Sequence, residues 1–258
     1  MNFVFDLDGT ICFEGQPVSE HLLMAFEELK AQGHEVIFAS ARPIRDLLPV
    51  LHERFHHDKM VGGNGSMVAR EGKIMSTACF DDRTLSDMMQ LLEEHRLAYL
   101  IDSDWDYAYT GPAGHPILKH LDPQKRAKNV ALGELRHIVK ILLLTSKNMK
   151  KVEEQLGKMD VVVHVHANEG VLDVSPRGVD KWSGLQQLGI KLGEYIAFGN
   201  DANDIPMFKY ALYAVMVGHH PQWAPFSSEQ LPLHDHIEHS LVQTLAELGR
   251  VYSEKAMK

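Results

Sequence analysis

Four short, uninterrupted apolar runs constrain this chain most: Phe3-Val4-Phe5, Val36-Ile37-Phe38-Ala39, Tyr195-Ile196-Ala197-Phe198 and Ala214-Val215-Met216-Val217. A strand that is apolar at every position is buried on both faces, the habit of parallel sheets covered by helices. Helical spacing fills the intervals. Ser19 is an N-cap for a helix that buries Leu22, Phe26 and Leu29 and stops at Gly33. Trp182–Leu188, Asp204–Tyr210 and Glu238–Val251 are further helices, the last burying Leu241, Leu245 and Leu248. Ile44–Phe55 is helical in pattern, although Pro49 must kink or restart it. The two flanks therefore read as an α/β fold with a doubly wound parallel sheet, whose ligands gather at the carboxyl ends of its strands.

Between the flanks the rhythm changes. The loop Gly62-Gly63-Asn64-Gly65 is backbone-permissive, and Met67–Ala69 with Ile74–Ser76 form a hairpin. A helix over Thr84–His95 is followed by strand-like runs at Ala98–Ile101, Tyr107–Tyr109 and His137–Leu144. Gly111–Lys128 shows no period. Asn148–Lys158 is an amphipathic helix, and Asp160–His166 with Gly170–Val174 reads as a hairpin around Asn168-Glu169-Gly170. Clustered strands with two helices describe an α+β insert. The expected domains are a core of residues 1–81 and 177–258 and an inserted domain of 82–176.

Directly after the first apolar run stands Asp6-Leu7-Asp8-Gly9-Thr10. Side chains two apart on a strand point the same way, so two carboxylates leave the sheet together. Such a pair repels and requires a cation or a shared proton; hard-cation binding by oxygen is the simplest remedy. A capped strand end with an Asx turn is the plainer reading of one such motif.

Three further stretches, in order, outweigh that reading. The second apolar strand ends in Ser40 and continues Ala41-Arg42-Pro43. Lys181 follows Pro176-Arg177-Gly178-Val179-Asp180. Ile196-Ala197-Phe198-Gly199-Asn200-Asp201-Ala202-Asn203-Asp204-Ile205 closes the set. Together with the first motif, these resemble the haloacid dehalogenase superfamily of phosphohydrolases, in its Cof-type branch with a large inserted cap. The resemblance runs from residue 3 to about residue 218. It implies Asp6 as the nucleophile that forms an aspartyl-phosphate and as a Mg²⁺ ligand. Asp8 becomes the general acid/base, its backbone carbonyl a second ligand. Lys181 neutralises Asp6 and the transferring phosphoryl group. Leu7, Thr10, Ser40, Ala41 and Asn203 fall at substrate-binding positions. Arg42 is open between a substrate contact and a surface cation. A strand-end serine such as Ser40 also serves as a helix cap.

The last motif departs from the family form Gly-Asp-x-x-Asn-Asp. Asn200 stands where the metal-binding Asp belongs, Asp201 follows it, and Asp204 is the second acidic position, which the resemblance also places among the metal ligands. Spacing favours Asn200 as the third ligand and charge favours Asp201, with spacing given more weight because Mg²⁺ demands near-ideal geometry.

The implied activity is a Mg²⁺-dependent phosphatase for a small phosphorylated metabolite, a sugar phosphate by resemblance. A phosphomutase or phosphotransferase would use the same residues, and a non-catalytic phosphate sensor would tolerate Asn200. A dehalogenase would not need Asp8. The net charge of −9 argues against a nucleic-acid partner. No run of about 18 apolar residues exists to span a membrane, and the first strand carries the carboxylates rather than a signal, so the cytoplasm is expected. Cys12 and Cys79 make no disulfide framework, and the 16 histidines show no tight ligand spacing. Asp104, Trp105, Tyr107, His164, His166 and Asn168 are candidate contacts on the insert. Nothing in the sequence sets an oligomeric state.

Overall fold

The computed structural model describes residues 1–145, 148–166 and 170–256. In chain order its regular elements are β1 (Asn2–Phe5), α1 (Glu20–Ala31), β2 (Glu35–Ala39), α2 (Ile44–Leu47), β3 (Lys59–Gly62), β4 (Met67–Arg70) and β5 (Lys73–Thr77). Next come α3 (Asp82–His95), β6 (Ala98–Asp102), β7 (Tyr107–Tyr109), β8 (Lys140–Thr145), α4 (Met149–Leu156), β9 (Val161–His166) and β10 (Val171–Pro176). The chain closes with α5 (Lys181–Gln187), β11 (Tyr195–Gly199), α6 (Ile205–Tyr210), β12 (Tyr213–Val217), β13 (Glu229–Leu231) and α7 (Ile237–Ala256).

Eight strands form one sheet in the order β13-β12-β11-β1-β2-β3-β4-β5. It is parallel from β13 to β3, and only the β3-β4-β5 hairpin extension is antiparallel. The apolar runs behave as their composition requires. Phe3 and Phe5 of β1 face α1 and α7, where Phe5 packs 4.7 Å from Phe26 and 4.8 Å from Phe198. Val4 faces the opposite layer, with Leu185 of α5 and Met207 and Phe208 of α6. Ser19 caps α1, its hydroxyl accepting from Leu22 N at 3.5 Å. With both faces covered, the exposed working surface of the parallel strands is their carboxyl edge.

A second, antiparallel sheet follows the order β7-β6-β8-β10-β9. One face packs on α3 and α4 through Ile101, Ile141, Leu143, Leu172 and Val174. The alternate residues Leu100, Leu142 and Val171 form a separate apolar cluster on the other face. α3 starts at Asp81, whose carboxylate accepts from Thr84 N at 2.9 Å.

Several boundaries differ from the sequence reading. The helix expected over 44–55 breaks into α2 and two 3₁₀ turns, Leu48–Val50 and Glu53–Phe55, with Pro49 in the first. The expected 137–144 strand begins at Lys140, since His137 has φ 52°, outside the β region. β13, a three-residue edge strand, has too short a pattern to read. The turn residues Asn168 and Glu169 lie outside the described residues.

Candidate active site

β1 delivers Asp6 to the sheet's carboxyl edge, its N–H bonded to Phe198 O of β11 at 2.9 Å. The loop after it turns sharply: Leu7 O accepts from the N–H groups of Thr10, Ile11 and Cys12. Gly9 sits at φ +79°, and a Cβ there would collide with the Asn200 side chain. Only glycine meets both demands. The loop therefore brings the first and last motifs into contact.

Asp6 is held at both oxygens. Oδ1 accepts from Lys181 Nζ at 2.5 Å and Oδ2 from Thr10 Oγ1 at 3.0 Å. Lys181, wholly buried, also donates to Asp204 Oδ1 at 2.6 Å. One ammonium thus serves two buried carboxylates, which leaves a net negative charge in a dry site. Burial, with Asp204 beside it, pushes Asp6 up to about 7 despite Lys181. Burial pulls Lys181 down, but Asp204 and Asp6 outweigh it and hold the ammonium charged. Both groups are raised: burial and the second anion favour the neutral Asp6 carboxyl, and the two anions favour the charged Lys181 ammonium.

Asn200 supplies the test of a metal site. Its side-chain amide lies 3.2 Å from Asp6 Oδ2 and 3.1 Å from the Asp8 carbonyl oxygen. With Nδ2 inward, the amide donates to both. With Oδ1 inward, three oxygens converge without a proton among them, and a cation is what stabilises that arrangement. Carboxylate, carbonyl and amide oxygens suit a hard ion such as Mg²⁺, and the ion would bring the positive charge the site lacks. Among the described residues no group of three His, Cys, Asp or Glu side chains forms a metal site; this donor set has one carboxylate. Asp201 also lines the cavity, but its Oδ1 accepts from Ala202 N at 2.7 Å and does not lie against Asp6 or the Asp8 carbonyl as Asn200 does. Asp204, expected among the ligands, has its oxygens engaged, Oδ1 by Lys181 and Oδ2 by Asn200 N at 2.8 Å and Asp201 N at 3.0 Å. It braces the loop that carries Asn200 instead of facing a metal.

Asp8 is half exposed and forked by Arg42, with Nε–Oδ2 at 2.8 Å and Nη2–Oδ1 at 2.5 Å. Arg42 is therefore not a free surface cation; it is paired with Asp8 at the wall of the cavity. A cavity of about 350 Å³ opens over these groups, lined from the first sheet by Asp6, Asp8, Ala41, Arg42, Asn200 and Asn203. Leu7, Thr10 and Ser40 do not line it. The Leu7 side chain is buried in the core, Thr10 is turned to Asp6, and Ser40 Oγ accepts from Arg42 N at 3.0 Å in a local turn; the cap position of α2 is Pro43, not Ser40.

The second sheet supplies the far wall, with Leu100, Leu142 and Val171 beside Asp102, Lys140 and Asp173. The sequence reading missed these three charges, and it missed Arg45 and Asp46 on α2. Arg45, fully buried, donates to Asp46, to Asp102 at 2.9 Å and to Trp105 O at 2.7 Å, and lies 4.9 Å from the Tyr107 ring. Lys140 reaches Asp173 at 2.8 Å and Ala41 O at 2.5 Å. The available signal was a charge inside an apolar strand, as in Val171-Leu172-Asp173-Val174, since a buried charge demands a partner. Of the expected contacts, His166 lines the cavity. Trp105 and Tyr107 brace Arg45, Asp104 lies 3.9 Å from His137 on the surface, and His164 is set back in the sheet. Asn168 lies outside the described residues.

A Rossmann-like sheet with paired acids on its first strand, a lysine and an acidic final loop defines a phosphohydrolase class. The chain belongs to the haloacid dehalogenase-like hydrolases, whose family profile matches residues 3–222. It is a phosphoric monoester hydrolase. It is 27% identical over 228 residues to a 5-amino-6-(5-phospho-D-ribitylamino)uracil phosphatase of Escherichia coli K12, covering 80% of each chain. It is 25% identical over 239 residues to an HMP-PP phosphatase of Serratia proteamaculans, covering 83% of this chain and 82% of that one. A phosphatase of the same superfamily from Bacteroides thetaiotaomicron shares the fold, with a TM-score of 0.78 at 19% identity over 96% of this chain and 94% of that one. A HAD subclass IIB sugar phosphatase does so at the same TM-score and 18% identity, over 96% and 98%.

Proposed function

We propose that this chain is a Mg²⁺-dependent phosphatase for small phosphorylated metabolites that works through an aspartyl-phosphate on Asp6. The observation that carries this is the Asp6 carboxylate, held at both oxygens at the edge of a cavity between the two sheets, with Asp8 two residues on. The Asp6 carboxylate attacks phosphorus; an Asp6–phosphorus bond forms as the bond to the leaving oxygen breaks. Asp8 gives that oxygen its proton, then accepts one from the water that cleaves the acyl phosphate. Arg42 occupies both Asp8 oxygens; a substrate phosphate competing for the guanidinium would release the Asp8 side chain toward the leaving oxygen. Mg²⁺, held by Asp6, the Asp8 carbonyl and Asn200, would offset charge on the transferring group. Lys181 keeps Asp6 in place and Asn203 faces the phosphate.

Residues 82–176 act as the cap, excluding bulk water and limiting substrate size. The substrate class is sugar phosphates by resemblance; relatives named for phosphorylated ribitylaminouracil and HMP-PP widen the panel to heterocyclic phosphates. Phosphate release from such a panel, with Mg²⁺ and with EDTA, tests the reading. No released phosphate from any member, or an isomeric sugar phosphate as product, would replace hydrolysis by binding or by transfer.

A further inference from the structure

The loop Gly62–Gly65 holds a residue that the mechanism above does not use. Asn64 is buried, with 1% of its surface exposed, and sits in the left-handed region at φ 56°, ψ 24°. Its backbone is fixed to the second motif, its N–H donating to Ser40 O at 3.0 Å, while the preceding Gly63 N donates to Arg42 O at 2.8 Å. Both ends of its side-chain amide are used, on different parts of the molecule. Nδ2 donates to Asp173 Oδ2 of the second sheet at 3.0 Å; Oδ1 accepts from Asn203 Nδ2 at 3.0 Å. Those partners leave the amide one orientation, because a carboxylate only accepts and the Asn203 nitrogen only donates. Asn203 is in turn fixed, one N–H spent on Asn64 and its face on the cavity.

We infer that Asn64 is a positioning residue: it sets the Asn203 amide toward the phosphate, and it does so when the cap carboxylate of Asp173 is in place. The step rests on Asn203 being a phosphate contact. Asp173 is itself anchored by Lys140, which bonds Ala41 O on the core side. Asp173, Asn64 and Asn203 form a continuous hydrogen-bonded path from the cap to the phosphate loop. With the cap displaced, Asn64 Nδ2 loses its acceptor, and the Asn203 amide loses its fixed orientation. The buried path thereby links substrate enclosure to phosphate alignment, a geometry worth an order of magnitude in rate when lost.

A double-mutant cycle tests this with p-nitrophenyl phosphate at fixed Mg²⁺. Asn64→Gly is the suitable truncation, because glycine accepts the left-handed backbone without strain. Asn64→Gly and Asn203→Ala should each lower kcat/KM about tenfold, and the double variant should fall no more than twofold below the worse single. Multiplying effects, or Asn64→Gly within twofold of wild type, overturn the inference. An Asn203→Ala variant with wild-type kcat/KM would overturn the phosphate-contact reading on which it rests. Asn64→Asp gives a second route that removes no side chain: it places two carboxylates together and should cost about tenfold. Wild-type kcat/KM in that variant overturns the inference.

Discussion

Two anions share Lys181, and that shortage of positive charge explains why Asp6 is both reactive and dependent on its surroundings. Replacing the Asp6 carboxylate by an amide removes the attacking oxygen but keeps the shape. Asp6→Asn should therefore lose on the order of 10³-fold or more in kcat while its thermal melt stays close to wild type; turnover well above background would take the nucleophile role from Asp6. The third ligand is open to the same kind of test. Asn200, not Asp201, lies against Asp6 Oδ2 and the Asp8 carbonyl. Asn200→Ala should raise the Mg²⁺ needed for half-maximal rate more than Asp201→Ala, which as an outer group should cost about 10-fold. Asn200→Asp should keep activity. A titration in which Asp201→Ala is the more impaired would mean that the loop works one residue out of register.

Strands and turns show how such residues come to be placed. The apolar runs predicted β1, β2, β11 and β12 within a residue, because burial on both faces leaves no other pattern, and Asp6 was legible at the end of β1, whereas Lys181 stood out only through the family resemblance. The cap charges were not. Asp102, Lys140 and Asp173 find partners on α2 and the Gly62–Gly65 loop, far away in sequence, and local periodicity carries no information about distant pairing. Pro49 announced a break in 44–55 but not the 3₁₀ turns that resulted. Two predictions belong here. Gly65 has φ +112°, and a Cβ would strike the Asp180 backbone just before Lys181. Gly65→Ala should destabilise by at least about 2 kcal/mol in urea melts; a neutral effect would mean the loop yields. In β10, burial pushes Asp173 up, yet Lys140 and His166 beside it hold it down at about 2, below its ordinary 3.8. A depressed carboxylate stabilises above its unfolded value and loses that contribution as pH falls from 3.8 towards 2. Roughly 2 kcal/mol is at stake. The urea midpoints of wild type and Asp173→Asn should draw together as pH falls from about 4 to about 2; a constant gap would show that the pairing stabilises nothing.

At the scale of the molecule, the interface between the sheets is polar where each sheet's own core is apolar. Arg45, Asp46 and Ala41 O would be rehydrated, not left unpaired, if the insert were removed, and the insert carries its own apolar cluster. Replacing residues 82–176 by a short linker should therefore leave a folded core. Discrimination among sugar phosphates should collapse more than turnover of a small aryl phosphate; retained discrimination would place specificity in the core loops. The sheet order has another outcome, for the chain as it is made. β1 is the first strand to leave the ribosome, yet it lies between β2 and β11. Asp6 must wait for Lys181, 175 residues later. Synthesis thus finishes the contiguous insert before the framework that surrounds it, and the earliest strand stays exposed longest, at the stage when an unpaired apolar edge is most prone to aggregate. Protease digestion of ribosome-stalled chains in which residue 180 has just cleared the exit tunnel should find the insert protected and β1 open to cleavage, so that a sheet begun first is closed last.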